Sequence, residues 1–305
     1  MLRIVVCLIA VMLTGACAAK KPVRSVRSAP HVRSSAAPHE SLEAFIQQVR
    51  ATSERVRPTT ERAESIEITD PRLATELRAL TLESTSANHR AVAAAYMRHG
   101  VLDLAHEHFS AAVALDPFDG ASWDGLARIW RDWDLPHLAL PDAYRAVYFV
   151  PNSPVTHNTL GTVLQALGRY ADARAQFEQA LALDVNAAYA LSNLCYGWRL
   201  EGDPAKAAEA CRHALRLRPD LESARNNLAL AYEAEGNLPA ALDTLASSAD
   251  KARAAYNEGL LHLAGRRYRE ALNAFDRARA ARPQYRAAEI MARRVRAQLL
   301  EVSQQ

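Results

Sequence analysis

The chain has 305 residues, with 37 Lys and Arg against 34 Asp and Glu and a net charge of +3 at neutral pH, so it lacks the cationic excess with which nucleic-acid binders neutralise phosphates. Half the residues are apolar, and the 11 glycines and 14 prolines are few and regularly placed. That is the composition of helices joined by short turns, and it argues against a β-rich domain.

At the N-terminus Arg3 precedes an apolar run from Ile4 to Leu13, too short for a stable bilayer span and bounded by small residues, as in an export signal. Residues 1–16 are therefore expected to be a signal peptide. The run ends in Leu13-Thr14-Gly15-Ala16-Cys17, which resembles the bacterial lipobox, although Thr14 stands where that family prefers leucine. The resemblance implies lipidation of Cys17 and, with Ala18 following, an outer-membrane lipoprotein facing the periplasm. Several acyl chains hold such an anchor stably. Ala16-Cys17-Ala18 also fits the small-x-small rule of ordinary secreted proteins, which leaves a soluble periplasmic protein as the alternative.

Residues 17–40 are rich in Ser, Pro and Ala and carry Lys20, Lys21, Arg24, Arg27 and Arg33 with no acid before Glu40. Such a segment cannot bury a core and reads as a basic tether with a reach of about 25 Å. Helical spacing begins at Ser41, with Leu42, Phe45, Ile46 and Val49 on one face; after a break at Pro58, Asp70-Pro71 opens a second helix with Leu73, Leu77 and Leu80. Cap, first-turn proline and periodicity assign helices to residues 41–85.

From Ser86 the chain repeats itself, with windows at 86–119, 120–153, 154–187, 188–221, 222–251 and 252–285; the first four steps are 34 residues each. Trp123, Leu126, Ala127, Trp130, Ala139, Ala146 and Pro151 mark the second window, and Tyr96, Gly100, Ala105, Phe109, Ala112 and Pro117 the first. Leu160, Gly161, Gly168, Ala173, Phe177 and Ala180 mark the third, and Leu194, Trp198, Gly202, Ala207, Ala214 and Pro219 the fourth. The fifth loses four residues around Ser247 to Lys251, and the sixth recovers with Gly259, Tyr268, Ala271, Phe275, Ala278 and Pro283. Period and pattern resemble the tetratricopeptide repeat. The resemblance implies an all-α solenoid, a right-handed superhelix of about six helical hairpins, with N-terminal helices before it and a C-terminal capping helix over 286–305. A shortened second helix is expected in the fifth repeat, because about one turn is missing.

Cys7 leaves with the signal and Cys17 is consumed by lipid, so Cys195 and Cys211 remain as thiols in an oxidising compartment. The repeat resemblance sets them opposite each other in the fourth hairpin, either bridged as a disulfide or free as small packing residues. It also implies that positions five, six, nine and twelve of each first helix line a concave groove. There stand Asp124, Arg128 and Arg131, then Asn158 and Gln165, then Asn193, Tyr196 and Arg199, then Asn226 and Asn227, then Asn257. Side-chain amides carry both donor and acceptor and suit the main chain of an extended peptide, and arginine suits carboxylates. The same asparagines could instead serve only helix packing.

No phosphate-binding glycine loop, paired-cysteine metal motif or Gly-x-Ser-x-Gly elbow occurs, so no catalytic residue, metal or cofactor is expected and the protein is read as a non-enzyme. His99, His106 and His108 form the nearest metal candidate, but residues two apart on a helix diverge. Asp132 and Asp134 lie at a turn where acids face water, with no apolar cleft to separate their pKa values. Tyr96, Trp123, Trp130, Trp198 and Tyr232 fall on packing positions, which leaves Trp133 as the tryptophan to consider for surface recognition or for packing on a neighbouring turn. The expected function is a protein–protein interaction scaffold of the bacterial cell envelope, with an unknown protein or peptide as partner and the membrane reached through the lipid anchor. It resembles the repeat lipoproteins of pilus and secretion systems; a self-associating adaptor and an accessory protein of a cell-wall enzyme are the alternatives.

Overall fold

The computed structural model describes Ile66 and residues 70–302. The signal-like run, Cys17, the basic segment and the helix expected from Ser41 lie outside the described residues. Among the described residues there are fourteen α-helices and no strand.

The first of them, α1 (Pro71–Leu82), starts where the Asp70 carboxylate accepts the Arg72 N–H at 2.9 Å and Pro71 occupies the first turn, where its missing N–H leaves nothing unsatisfied. Six antiparallel hairpins follow: α2 (Ser86–Arg98) with α3 (Leu102–Leu115), α4 (Gly120–Asp132) with α5 (Pro136–Phe149), and α6 (Pro154–Ala166) with α7 (Tyr170–Leu183). Then come α8 (Ala188–Leu200) with α9 (Pro204–Leu217), α10 (Glu222–Ala234) with α11 (Leu238–Ala246), and α12 (Lys251–Ala264) with α13 (Tyr268–Ala281). The closing helix α14 (Arg286–Val302) buries Ala288, Ala292 and Val295 against the last hairpin.

The third and sixth hairpins are drawn together by complementary volumes at the eighth and twenty-fourth positions. A Cβ on Gly161 would lie 2.5 Å from the Phe177 ring, and one on Gly259 the same distance from Phe275, so glycine is required for the helices to pass this closely. In the fourth hairpin the two positions are Cys195 and Cys211, both fully buried and joined by a disulfide, with Cα atoms 5.3 Å apart. The chain reverses between helices through a left-handed residue at the fifteenth position. Glycine fills it four times, as at Gly168 (φ 74°), while Asp134 (φ 62°) and Arg266 (φ 56°) adopt it with a side chain.

The fifth hairpin is irregular: α11 has nine residues where the second helix of every other hairpin has fourteen. Polar residues end it. The Ser247 hydroxyl accepts a hydrogen bond from Arg225 Nε (3.0 Å), buried Ser248 donates to Glu222 (3.0 Å), and the Asp250 side chain caps α12. These side chains satisfy the backbone and each other where a further helical turn would need apolar ones.

Replacing both Cys195 and Cys211 by alanine is expected to lower stability by about 3 kcal/mol, the effect of opening a loop of this length. Cys195→Gly with Cys211→Phe installs the pair used in the third and sixth hairpins and should lose less. Thermal unfolding of the two double variants compares them, and an equal loss would show that the seam does not work through volume complementarity.

Candidate partner-binding groove

The first helices of successive hairpins stand side by side, and their fifth and sixth positions meet across three of the five boundaries. Asn193 Nδ2 donates to Asn158 Oδ1 at 2.7 Å between α8 and α6, and Asn257 Nδ2 donates to Asn226 Oδ1 at 2.8 Å between α12 and α10. Asp124 and Thr159 are hydrogen-bonded in the same relation between α4 and α6. Each asparagine pair spends one donor and one acceptor and leaves Nδ2 of one amide and Oδ1 of the other without a protein partner among the described residues. Between α8 and α10 the pattern lapses: the Ser192 and Ser223 hydroxyls bond each other at 3.0 Å, and the Asn227 side chain makes no hydrogen bond to the described residues.

The other residues expected in the groove divide. Asp124 is withdrawn from it: its side chain is buried, one carboxylate oxygen has no partner, and the nearest Arg128 nitrogen is 3.9 Å from the other. Arg131 is occupied, bonding Asp132 at 2.7 Å and the Thr162 hydroxyl at 3.0 Å. Gln165 reaches the Asn193 carbonyl at 3.4 Å. Arg128 remains largely open, and Arg199 lies over the Tyr196 ring, 5.1 Å from its centroid, with no carboxylate partner among the described residues. Position nine changes character along the array, from Arg128 through Thr162 and Tyr196 to Leu230 and Leu260. Sequence reasoning named only polar groove residues and so passed over these two leucines, although their place in the fifth and sixth windows was the same signal that selected Arg128 and Tyr196.

The histidines do not converge. His99 bonds Asp70 at 2.7 Å, His108 meets His89 at 3.1 Å, and His106 lies against Trp130 and Trp133. Trp133 is thus half-buried by packing, with the Trp130 ring 5.3 Å away.

Two stretches, residues 154–187 and 201–257, match family models of the tetratricopeptide repeat. The chain is a tetratricopeptide-repeat protein. A 79-residue stretch of this repeat protein is 35% identical to the photosystem I assembly protein Ycf3 of Cyanophora paradoxa, covering 25% of the chain and 46% of that relative, so the match spans about half the relative's length. Among solved structures, it resembles a chain of the APC/C hetero-tetramer Cut9–Hcn1 (TM-score 0.61, 18% identity, 83% of this chain and 55% of that one). It also resembles PilW, described as a widely conserved type IV pilus biogenesis factor (TM-score 0.57, 20% identity, 67% of this chain and 97% of that one). At these identities the structural likeness concerns the fold, and tetratricopeptide repeats are a scaffold architecture that serves protein–protein interaction.

Burial pushes the Asp124 carboxyl above its ordinary value near 3.8, against the opposing pull of the Thr159 hydrogen bond and of Arg128 and Arg131. A carboxyl raised in the folded state binds its proton more tightly there than in the unfolded chain. Its ionised form therefore subtracts stability above the folded value, and the deficit vanishes as the pH falls below the unfolded one. Asp124→Asn, which installs the residue found at this position in α6 and α10, is expected to stabilise the protein at pH 7 by about 1 kcal/mol. That gain should shrink as the pH is lowered toward 3.8 in a series of urea-unfolding measurements; a gain independent of pH would assign it to something other than the buried charge.

Proposed function

We propose that the concave face holds an extended segment of a partner protein by its main chain, and that the protein is a non-catalytic assembly scaffold of the bacterial cell envelope. The observation that carries the first part is the recurrence of amide pairs across repeat boundaries, each with one open donor and one open acceptor. A peptide unit presents the complementary acceptor and donor without demanding a particular side chain. Asn227, unbonded to other side chains, extends the row, and Arg199 offers a planar fork to a carboxylate of the same segment.

Replacing Asn193, Asn227 and Asn257 together by alanine is expected to weaken partner capture about tenfold or more, since each lost hydrogen bond is worth about 0.5–1.5 kcal/mol. The helical circular-dichroism spectrum should stay unchanged, because partly exposed polar positions contribute little to stability. Capture that survives this triple substitution and is lost when the exposed residues of α14 are altered, Ile290 at 55% exposure among them, would put self-association through the end helix in place of the groove.

The envelope reading is supported by the apolar run and its lipobox-like end at Cys17. The descriptions of PilW as a pilus biogenesis factor and of Ycf3 as an assembly protein agree with an assembly role. Cys17→Ala is expected to abolish incorporation of labelled fatty acid and move the protein to the soluble fraction. A wild-type chain that never takes up the label would instead be a soluble secreted protein.

A further inference from the structure

Where the fifth and sixth repeats meet, the groove floor opens into a cavity of about 200 Å³. Its walls are Ala229 and Leu230 of α10, Leu245 of α11, and Leu260 and Leu261 of α12, and its rim is the bonded pair Asn226 and Asn257. The cavity follows from the irregular step. At the twenty-fourth position, where α7 and α13 place Phe177 and Phe275, the shortened α11 places Leu245 and then stops. The floor is hydrocarbon, with Ala229, Leu245 and Leu261 buried, while Leu260 stands 37% exposed at the mouth.

No charged side chain lines this cavity, so it does not suit an ionic ligand. Water inside it has only the two rim amides to bond, which makes it poorly held and readily displaced by an apolar group. An engineered cavity of roughly 150 Å³ in another protein is large enough for benzene, so this one admits a leucine, methionine or phenylalanine side chain. Rim and floor together match one residue of an extended chain: its peptide groups meet the open amide groups of Asn226 and Asn257, and its side chain points down between Leu230 and Leu260.

We infer that this cavity is a specificity subsite that takes one bulky aliphatic or aromatic side chain of the bound segment. The inference rests on the groove reading above and adds to it a demand on sequence. The test pans a random dodecapeptide phage library on the immobilised full chain and measures the selected peptides on three variants. Selected peptides should share one Leu, Ile, Met or Phe at a fixed place. Replacing that residue by alanine, or introducing Leu260→Glu, should weaken binding about ten- to hundredfold, the value of burying one such side chain. Leu260 is partly exposed, so Leu260→Glu is expected to fold; Leu230→Gln gives the same reading from the opposite wall. Asn226→Ala with Asn257→Ala should weaken every groove-bound peptide whatever its side chain. Peptides that depend on the two asparagines but not on Leu260, Leu230 or any apolar residue would overturn the subsite and leave the groove standing. Failure to select any peptide that depends on the asparagines would overturn both.

Discussion

In the third and sixth hairpins the two helices approach so closely that the first must give up its side chain. At Gly161 and Gly259 even a methyl group would enter the facing phenylalanine ring, and in the fourth hairpin the same seam is closed by the covalent Cys195–Cys211 bridge. This contact decides what every other face of the first helix can do. The side carrying the eighth position is spent on its own partner, and the sides flanking it are spent on neighbouring repeats, with alanines buried at Ala190 and Ala224. Positions five, six, nine and twelve remain, and no second helix covers them. The groove is thus a consequence of the packing seam, because a repeat that buries its apolar stripe against neighbours leaves one stripe unburied.

A stripe left over in this way has to settle its polar groups without water on all sides. Asn158 and Asn193, and again Asn226 and Asn257, do so by pairing across the boundary between repeats, so each amide is half satisfied and half available. The pairing also ties one hairpin to the next along the face a partner would contact, which couples the order of the groove to the stacking of the array. Asp124 occupies the equivalent place with a carboxylate, which accepts hydrogen bonds but donates none. Buried beside Thr159 with one oxygen unpartnered, it cannot present the donor that an asparagine presents there.

Much of the fold was legible in the sequence because its steric demands recur at a fixed spacing and few residue types meet them. A small residue at the eighth position and alanine at the twentieth, returning every 34 residues from Ser86 to Glu222, are enough to identify the repeat and hence the all-α solenoid. The site was legible only in outline. Position numbers select the groove residues, but they do not reveal that Asn158 spends its carbonyl on Asn193, since that bond joins different windows and depends on how far apart the hairpins stand. Arg131 reads as an open cation until Asp132, its neighbour in sequence, is seen to hold it. The cavity under Leu230 and Leu260 was hidden for a similar reason. The missing residues can be counted, but an empty volume is a difference between what the walls enclose and what the side chains fill, and no spacing rule measures it.

The irregular fifth repeat also bears on a weakness of regular arrays as binding surfaces. A groove built from identical units offers the same contacts again after each repeat, so an extended segment held by its main chain alone could slide by one unit with no loss of affinity. Discrimination between registers requires a feature that occurs once, since specificity is a difference between binding energies and not their sum. Here the step from α10 to α12 is 29 residues where the earlier steps are 34, and the apolar cavity of the groove lies at that step. For a segment bound as proposed, seating one large side chain there is worth about 1.5–3 kcal/mol, enough to favour one register by about ten- to hundredfold. The amides then supply affinity wherever the chain lies, and the break in the repeat determines where it stops.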